Sequence, residues 1–175
     1  MSVALFPPIE ESPEAVRAML EPLRNDLSVA IYNHQNPFSV GAIIRVAHSF
    51  LVREIFIIGQ EPYYEKASMG MHRFECIRVM PDVDSFLDAI KGRPLWSVEK
   101  DDATRSLYAK GSYPRDIVFA FGSERAGLPP SLIEKSNEVL GIPMFGVNHS
   151  FPVSVASGMV LCDWARRRYE AGTIA

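Results

Sequence analysis

Short runs of apolar residues alternate along this chain with longer stretches in which apolar positions recur at helical spacing. The runs have the length of buried strands and are rich in β-branched and aromatic residues. Strands are predicted at residues 27–32, 54–59, 76–80, 95–98, 117–121 and 139–142. Apolar strands separated by helices indicate an α/β fold with a mostly parallel sheet and helices on both faces.

The stretches between the strands predict the helices. Ser12 and Pro13 have the types expected at the N-cap and first position of a helix, and Asp82 is a second candidate N-cap. Helices are predicted from Ser12 to about residue 23, over 42–50, 63–71 and 82–91, and, as the longest, over 153–171. The first helix falls within residues 1–26, an N-terminal extension, and the main domain is predicted over residues 27–175.

Polar and glycine-containing loops follow several of the predicted strands. In a parallel α/β sheet the ligand site lies beyond the carboxyl ends of the strands. This rule brings residues 33–41, 97–100, 122–130 and 143–152 to one rim of the sheet. The predicted pocket is therefore built largely from backbone.

Composition and charge limit the possible functions. The net charge of −3 gives no overall basic field, so a nucleic-acid surface would have to be a local cluster of Lys and Arg. Cys76 and Cys162 lack Cys or His partners at metal spacing, so no metal site is expected, and so few cysteines favour a reducing compartment. No apolar run approaches the ~20 residues of a membrane span. The N-terminus carries acids where a signal peptide would be apolar, so a cytoplasmic protein without membrane association is expected.

Several enzyme motifs are absent from the sequence. No GxGxxG follows the first predicted strand, which argues against a nicotinamide dinucleotide fold. The phosphate-binding motif GxxxxGK[ST] and the nucleophile motif GxSxG are missing as well.

Each remaining candidate has a structural interpretation beside the functional one. Arg45, one turn into a helix, is either an exposed helical residue or a ligand for a phosphate near the helix N-terminus. Glu124, in a glycine-bounded turn, either caps the next turn or contacts a substrate. The arginines at 166–168 either complement the dipole of the last helix or contact RNA.

Three segments, in this order and spacing, resemble one known family. They read NHQNPFSVGAIIRVA at residues 33–47, FGSERAGL at residues 121–128, and IPM at 142–144 followed by SFPVSVA at 150–156. From about residue 27 to residue 169 the chain resembles the SpoU (TrmH-like) family of SPOUT-class RNA 2′-O-ribose methyltransferases.

The resemblance implies a fold, a cofactor and partners. The fold would be a SPOUT α/β domain whose C-terminal segment threads a loop to form a deep trefoil knot. The cofactor would be S-adenosylmethionine, and the substrate a ribose 2′-hydroxyl in tRNA or rRNA. A homodimer would form through the last helix, with Val160 and Trp164 partly in the interface.

The resemblance also implies roles for individual residues. Those expected to be catalytic are Arg45, Glu124 and Ser150. Those expected to bind the cofactor are Ser97, Gly122, Ile142, Met144 and Phe151. Those expected to bind the RNA are Asn33, Asn36, Ser39, Arg45 and Arg125.

Two positions depart from the family pattern. Ser39 and Pro152 stand where the family usually has asparagine. Asparagine both donates and accepts hydrogen bonds, serine keeps a smaller version of this capacity, and proline has neither a polar side chain nor an amide proton. The alternative function is therefore a SPOUT-fold module that binds RNA or S-adenosylmethionine with weak or no catalysis.

Overall fold

One parallel sheet organises the chain, and its strand order differs from the order of the strands in the sequence. The computed structural model describes residues 11–33, 37–124, 126–148 and 150–169. Its strands are β1 (Leu27–Tyr32), β2 (Ile55–Ile58), β3 (Ile77–Met80), β4 (Leu95–Val98), β5 (Arg105–Ser106), β6 (Ile117–Phe121) and β7 (Glu138–Gly141). They lie in the order β3-β2-β1-β6-β4-β7-β5, and each neighbouring pair is parallel. The predicted α/β class with a parallel sheet is confirmed.

Helices cover both faces of the sheet because successive side chains of a strand point in opposite directions. The helices are α1 (Pro13–Leu20), α2 (Pro37–Ser49), α3 (Val83–Ala89), α4 (Pro130–Glu134) and α5 (Val153–Tyr169). On β1, Val29 and Ile31 pack in a buried cluster with residues of α2 and α5. Ala30, between them, belongs to a second cluster with Phe86 of α3 and Leu132 of α4.

Two helices begin at the predicted caps. The Ser12 hydroxyl accepts a hydrogen bond from the Ala15 amide at 3.2 Å. Oδ1 of Asp82 accepts one from the Ser85 amide at 2.8 Å. Each bond satisfies an amide that the helix itself leaves unpaired, which stabilises a helix by about 1 kcal/mol.

The prediction of a single helix over residues 63–71 is wrong. The segment instead forms two 3₁₀ turns, Glu65–Ser68 and Met71–Phe74. Between them Met69 and Gly70 take left-handed backbone angles, with φ of 52° and 84°. A left-handed residue ends a right-handed turn, so the apolar periodicity of this segment does not continue as an α-helix.

Buried charges fasten the segment before β1 to the body of the protein. Arg24 donates to the Glu75 carboxylate at 2.7 Å and to the carbonyl of Val52 at 2.8 Å. The His48 ring lies 2.6 Å from the other Glu75 oxygen. Residues 1–10 lie outside the described residues, and the division at residue 26 stays a prediction.

The last helix packs mainly against its own chain. Val160 and Trp164 are 0% and 3% exposed and belong to the cluster shared with α2. The prediction that they also contact a partner is wrong, since one chain already buries them.

Candidate active site

A cavity of about 460 Å³ opens at the carboxyl ends of β4, β6 and β7, beside the start of α5. Its walls come from residues within 98–102, 121–128, 140–144 and 150–156. The predicted site residues among them are Gly122, Glu124, Ile142, Met144, Ser150 and Phe151. The structure therefore gathers residues from two of the three motif segments, and from strand β7 between them, around one space.

A tight turn after β6 forms one wall of this cavity. The Gly127 amide donates to the Ser123 carbonyl at 2.9 Å, and the Ser123 amide donates back to the Gly127 carbonyl at 3.2 Å. The Ser123 hydroxyl accepts from the Ala126 amide at 3.1 Å. These bonds use the turn's own polar groups, so its shape does not depend on a ligand.

Gly122 stands where the two ends of this turn meet. A Cβ atom at this position would lie 2.6 Å from the Gly127 carbonyl oxygen and 2.6 Å from the Leu128 amide nitrogen. Both neighbours are backbone atoms, which cannot rotate away as a side chain would. The turn can therefore close only around a residue without a Cβ atom.

Glu124 joins the three motif segments. Its Oε1 accepts a hydrogen bond from the Ser39 hydroxyl at 2.6 Å. The same oxygen lies 3.4 Å from the amide of Val153, the first residue of α5. A carboxylate is stabilised at a helix N-terminus, where amides are unpaired and the helix dipole is positive. The hydroxyl of Ser39, at one of the two unusual positions, thus holds this carboxylate in place.

Pro152, at the other unusual position, is compatible with the start of α5. Its carbonyl accepts hydrogen bonds from the amides of Val155 at 2.9 Å and Ala156 at 3.0 Å. Proline is well suited to the edge of a helix because its missing amide proton would have no partner there. The departure from asparagine removes a polar side chain and leaves the helix start intact.

The chain that carries these motif segments matches a known family along most of its length. The SpoU rRNA methylase family matches residues 26–162. The chain belongs to this family.

Individual SpoU relatives agree with this assignment. The chain is 27% identical over 173 residues to the tRNA (guanosine(18)-2′-O)-methyltransferase of Thermus thermophilus, covering 94% of this chain and 89% of that one. Its fold is similar to that of the A. aeolicus TrmH/SpoU tRNA modifying enzyme, with a TM-score of 0.77, 25% identity, and coverage of 91% and 84%. It is also similar to the AdoMet complex of the SpoU methyltransferase AviRb from Streptomyces viridochromogenes, with a TM-score of 0.75, 20% identity, and coverage of 86% and 61%.

Arg45 and Asn33, both from the first SpoU motif segment, lie outside the cavity lining. Arg45 is exposed on α2. Its guanidinium makes no hydrogen bond or ion pair with another residue of the part that the structure describes. Asn33 is only 3% exposed and donates from its side-chain amide to the Glu61 carbonyl. Asn33 thus fastens the loop after β2 to the end of β1.

The other predicted SpoU residues are placed as follows. Ser97, at the end of β4, is fully buried, and its hydroxyl lies 2.6 Å from the hydroxyl of Ser136. It does not line the cavity, whereas Val98, the next residue, does. Asn36 and Arg125 fall outside the described residues.

A group of charged residues after β4 was not among the predicted site residues, although residues 97–100 were predicted to lie at the rim of the sheet. Glu99, Lys100, Asp101 and Asp102 line the cavity. One carboxylate oxygen of Glu99 accepts from the Lys100 amide at 2.9 Å, and the other lies 3.4 Å from the Leu128 amide. The position of Glu99 directly after a strand was the available signal. With Glu124, these residues give the described lining four carboxylates and one ammonium group.

Of the three arginines at the end of α5, Arg167 connects the helix to a distant loop. Arg167 donates to the carbonyls of Leu107 at 2.7 Å, Ala109 at 2.6 Å and Gly111 at 2.7 Å. It also donates to Asp163 at 2.7 Å. Its role lies in fixing a loop, which neither interpretation of the sequence had anticipated.

Asp163 is the charged centre of this cluster. Burial alone would raise the pKa of the Asp163 carboxyl, but hydrogen bonds from Tyr113, Arg166 and Arg167 outweigh it, so this pKa lies below its ordinary value. The Tyr113 hydroxyl donates to Asp163 at 2.7 Å. Burial, followed by this hydrogen bond, raises the pKa of Tyr113 well above its ordinary value.

The described residues offer neither a metal site nor a membrane-spanning helix. No three His, Cys, Asp or Glu side chains of that part of the chain are grouped as ligands for a metal ion. None of its helices combines the length and the apolar character needed to cross a bilayer.

Proposed function

We propose that this protein transfers a methyl group from S-adenosylmethionine to a ribose 2′-hydroxyl of tRNA or rRNA. The observation that carries the proposal is the joining of the three SpoU motif segments at one cavity through Glu124. The Thermus thermophilus relative is named as a tRNA 2′-O-methyltransferase, and the matching family is named for rRNA. Such substrates also favour the predicted cytoplasmic location.

The cavity suits a cationic ligand of this kind. Its described lining carries the carboxylates of Glu99, Asp101, Asp102 and Glu124 against the single ammonium of Lys100. Carboxylates attract the positive sulfonium and amino groups of S-adenosylmethionine and would repel a nucleotide phosphate. Backbone at Gly122, with Ile142, Met144 and Phe151, offers polar main-chain atoms and apolar surface to the rest of the molecule. When bound, S-adenosylmethionine supplies a methyl group already activated on a sulfonium.

The residues of the chain itself would orient the RNA hydroxyl and assist its deprotonation. Alignment of two reactants can lower a barrier by about 7–11 kcal/mol, and a placed proton acceptor accelerates transfer by about 10²–10⁴-fold. Arg45 is exposed and is suited to a substrate phosphate and the adjacent hydroxyl. Glu124 and the exposed Ser150 lie at the cavity, where Ser39 holds the carboxylate. Ser39 is in this account a positioning residue.

Transfer of tritium from methyl-labelled S-adenosylmethionine to RNA tests the proposal. We expect the wild-type protein to label ribose and Arg45→Ala to lower the rate about 100-fold, with cofactor affinity unchanged. Arg45→Lys should recover part of the activity, since lysine keeps the charge and loses the paired donors. Lys91→Ala, an exposed cation beyond α3, is the matched control. A wild-type protein that binds the cofactor and transfers no label would establish the non-catalytic alternative.

The protein is further proposed to act as a homodimer through α5. Val155 and Cys162 are exposed, and with the half-buried Met159 they recur at positions i, i+4 and i+7 of the helix. That spacing places all three along one side of α5. We expect the paired substitution Val155→Asp and Met159→Asp to halve the mass in sedimentation equilibrium. Val79→Asp, at a 58% exposed position on β3, should leave the mass unchanged.

The deep trefoil knot is part of the same proposal. The chain leaves β6 in the middle of the sheet, reaches β7 beyond β4, and then returns in α5 to the face that carries α2. A return of this kind is consistent with threading of the C-terminal segment. A knot retained in denaturant would make refolding faster than first folding of a newly synthesised chain, and equal rates would count against it.

A further inference from the structure

Phe38, from the first motif segment, and Tyr64 lie stacked and exposed. Phe38 is 60% exposed and Tyr64 is 49% exposed. Their ring centroids are 6.1 Å apart and their planes differ by 18°. A single exposed aromatic residue is ordinary, but a nearly parallel pair offers a flat apolar surface to solvent.

The backbone segments that carry the two rings contact each other directly. The Tyr64 amide donates to the carbonyl of Pro37 at 2.9 Å. A Cβ atom on Gly41 would lie 2.5 Å from the Tyr64 carbonyl oxygen and 2.8 Å from Cβ of Ala67. The segment that carries Tyr64 thus rests directly on α2, at a place where only glycine fits. The backbone positions of both aromatic residues are therefore set by contacts within the chain.

The pair is adjacent to the groups already assigned to the reaction. Ser39, the neighbour of Phe38, donates to Glu124 at the cavity. Phe38 and Arg45 are seven residues apart on α2, so they share one side of the helix and lie about 10 Å apart along its axis. An apolar surface and an exposed guanidinium therefore follow one another along the helix.

We propose that Phe38 and Tyr64 form a stacking platform for an unpaired nucleobase next to the methylated nucleotide, while Arg45 pairs with the phosphate between them. The proposal rests on the proposed function. Stacking on aromatic rings requires a base that has left its helix, because paired bases present only their edges. The platform therefore assigns a single-stranded loop, and not a continuous duplex, as the substrate.

The surroundings of the pair favour RNA over a protein partner. Charged and exposed residues, Glu65 and Lys66, follow Tyr64 directly. The exposed apolar row on α5, by contrast, consists of aliphatic and sulfur side chains without stacked rings. Base stacking needs only the face of an aromatic ring, so charged neighbours do not prevent it.

Binding of an RNA hairpin with a 2-aminopurine in its unpaired loop tests the platform. We expect Phe38→Ala and Tyr64→Ala each to weaken binding about 5- to 100-fold, and to abolish quenching of the 2-aminopurine. Phe38→Trp should bind as the wild type does. Tyr108→Ala, which removes a 65% exposed tyrosine from another loop, is the matched control. Duplex RNA of equal length should bind all variants alike.

The salt dependence separates the platform from Arg45. Phe38→Ala should leave the slope of log Kd against log salt unchanged. Arg45→Ala should reduce this slope by about one, the change expected for the loss of one phosphate contact. Wild-type affinity and quenching in Phe38→Ala would overturn the platform. A fall in the oligomeric mass of Phe38→Ala would also overturn it, because the pair would then be a contact between subunits. Loss of hairpin binding in Phe38→Ala with no methyl transfer by the wild type would support the platform and refute the proposed function.

Discussion

The hydroxyl of Ser39 lies 2.6 Å from Oε1 of Glu124, and this contact joins α2 to the turn after β6. The two residues are 85 positions apart in the chain. Ser39 is 7% exposed, so water cannot readily replace its hydroxyl as a donor. A position that departs from the usual family residue therefore still supplies a hydrogen bond to the cavity.

Removal of this donor should weaken the site without unfolding the protein. A hydrogen bond to a charged group contributes about 1.5–3 kcal/mol, so we expect Ser39→Ala to lower kcat/KM for methyl transfer about tenfold. Ser39→Asn, which restores a side-chain donor, should retain activity. Ser49→Ala is the control, because that hydroxyl is exposed and bonds only the Arg45 carbonyl among the described residues. Wild-type kinetics in Ser39→Ala would show that Ser39 does not contribute to methyl transfer.

A methyl group at Gly122 should abolish cofactor binding. The added Cβ would lie 2.6 Å from two backbone atoms of the turn, so the turn would have to open. We expect Gly122→Ala to reduce the free energy of unfolding by about 2–3 kcal/mol and to remove S-adenosylmethionine binding in calorimetry.

Gly158→Ala provides the comparison for this substitution. Its added Cβ would meet only Val46 Cγ1, at 3.9 Å, inside a regular helix. We expect it to be neutral or to stabilise α5 by up to about 1 kcal/mol. Cofactor binding by Gly122→Ala at wild-type affinity would contradict the role given to this close approach.

Asp163 should make stability depend on pH in the acid range. Its pKa lies below the ordinary value of 3.8, so folding favours the ionised form. The resulting stabilisation is present above the unfolded pKa and is lost as pH falls through the folded pKa. We expect Asp163→Asn to lower the free energy of unfolding by about 2 kcal/mol at pH 7, and the difference from wild type to shrink toward pH 3.

Urea denaturation at several pH values measures this difference. Asp88→Asn, at an exposed position at the end of α3, should follow the wild-type curve throughout. A deficit in Asp163→Asn that stays constant with pH would mean that the carboxylate charge contributes nothing.

Arg167 should be much more important for stability than its neighbour Arg168. Arg167 is 12% exposed and makes four charge-assisted hydrogen bonds, to Asp163 and to three carbonyls of the loop after β5. Arg168 is 41% exposed and approaches Asp26 at 3.6 Å. We expect Arg167→Ala to cost about 3 kcal/mol and Arg168→Ala less than about 1 kcal/mol.

Hydrogen exchange provides a second measurement for Arg167. Amides in residues 107–111 should lose protection in Arg167→Ala, because their neighbouring carbonyls lose a common partner. Unchanged exchange in this loop would show that Arg167 does not fix it.

Strands were the part of the fold that could be predicted best. The bounds of β1, β4 and β6 coincide with the predicted runs, because these strands are mostly apolar and polar, proline or glycine residues border them. The short elements β5 and α4 escaped prediction, since 2 and 5 residues are too few to reveal a period. Left-handed backbone at Met69 and Gly70 likewise leaves no clear periodic signal.

The candidate site was likewise predicted only in part. Residues such as Gly122 and Met144 were found through the motifs, which are continuous in sequence. The partner of Ser39 and the three carbonyl partners of Arg167 were not, because they lie 85 and 56–60 residues away, respectively. For Arg167 three of the acceptors are backbone carbonyls, which every residue possesses, so no residue type marks them.

The position of the cavity in the chain determines when it can form during synthesis. One of its walls comes from residues 150–156, close to the end of the described chain. A growing polypeptide on the ribosome therefore lacks that wall until residues 150–156 have been synthesised and have folded. A ligand that binds only the completed fold stabilises that fold alone. S-adenosylmethionine would thus favour molecules in which residues 150–156 have closed the cavity, and protect them from proteolysis.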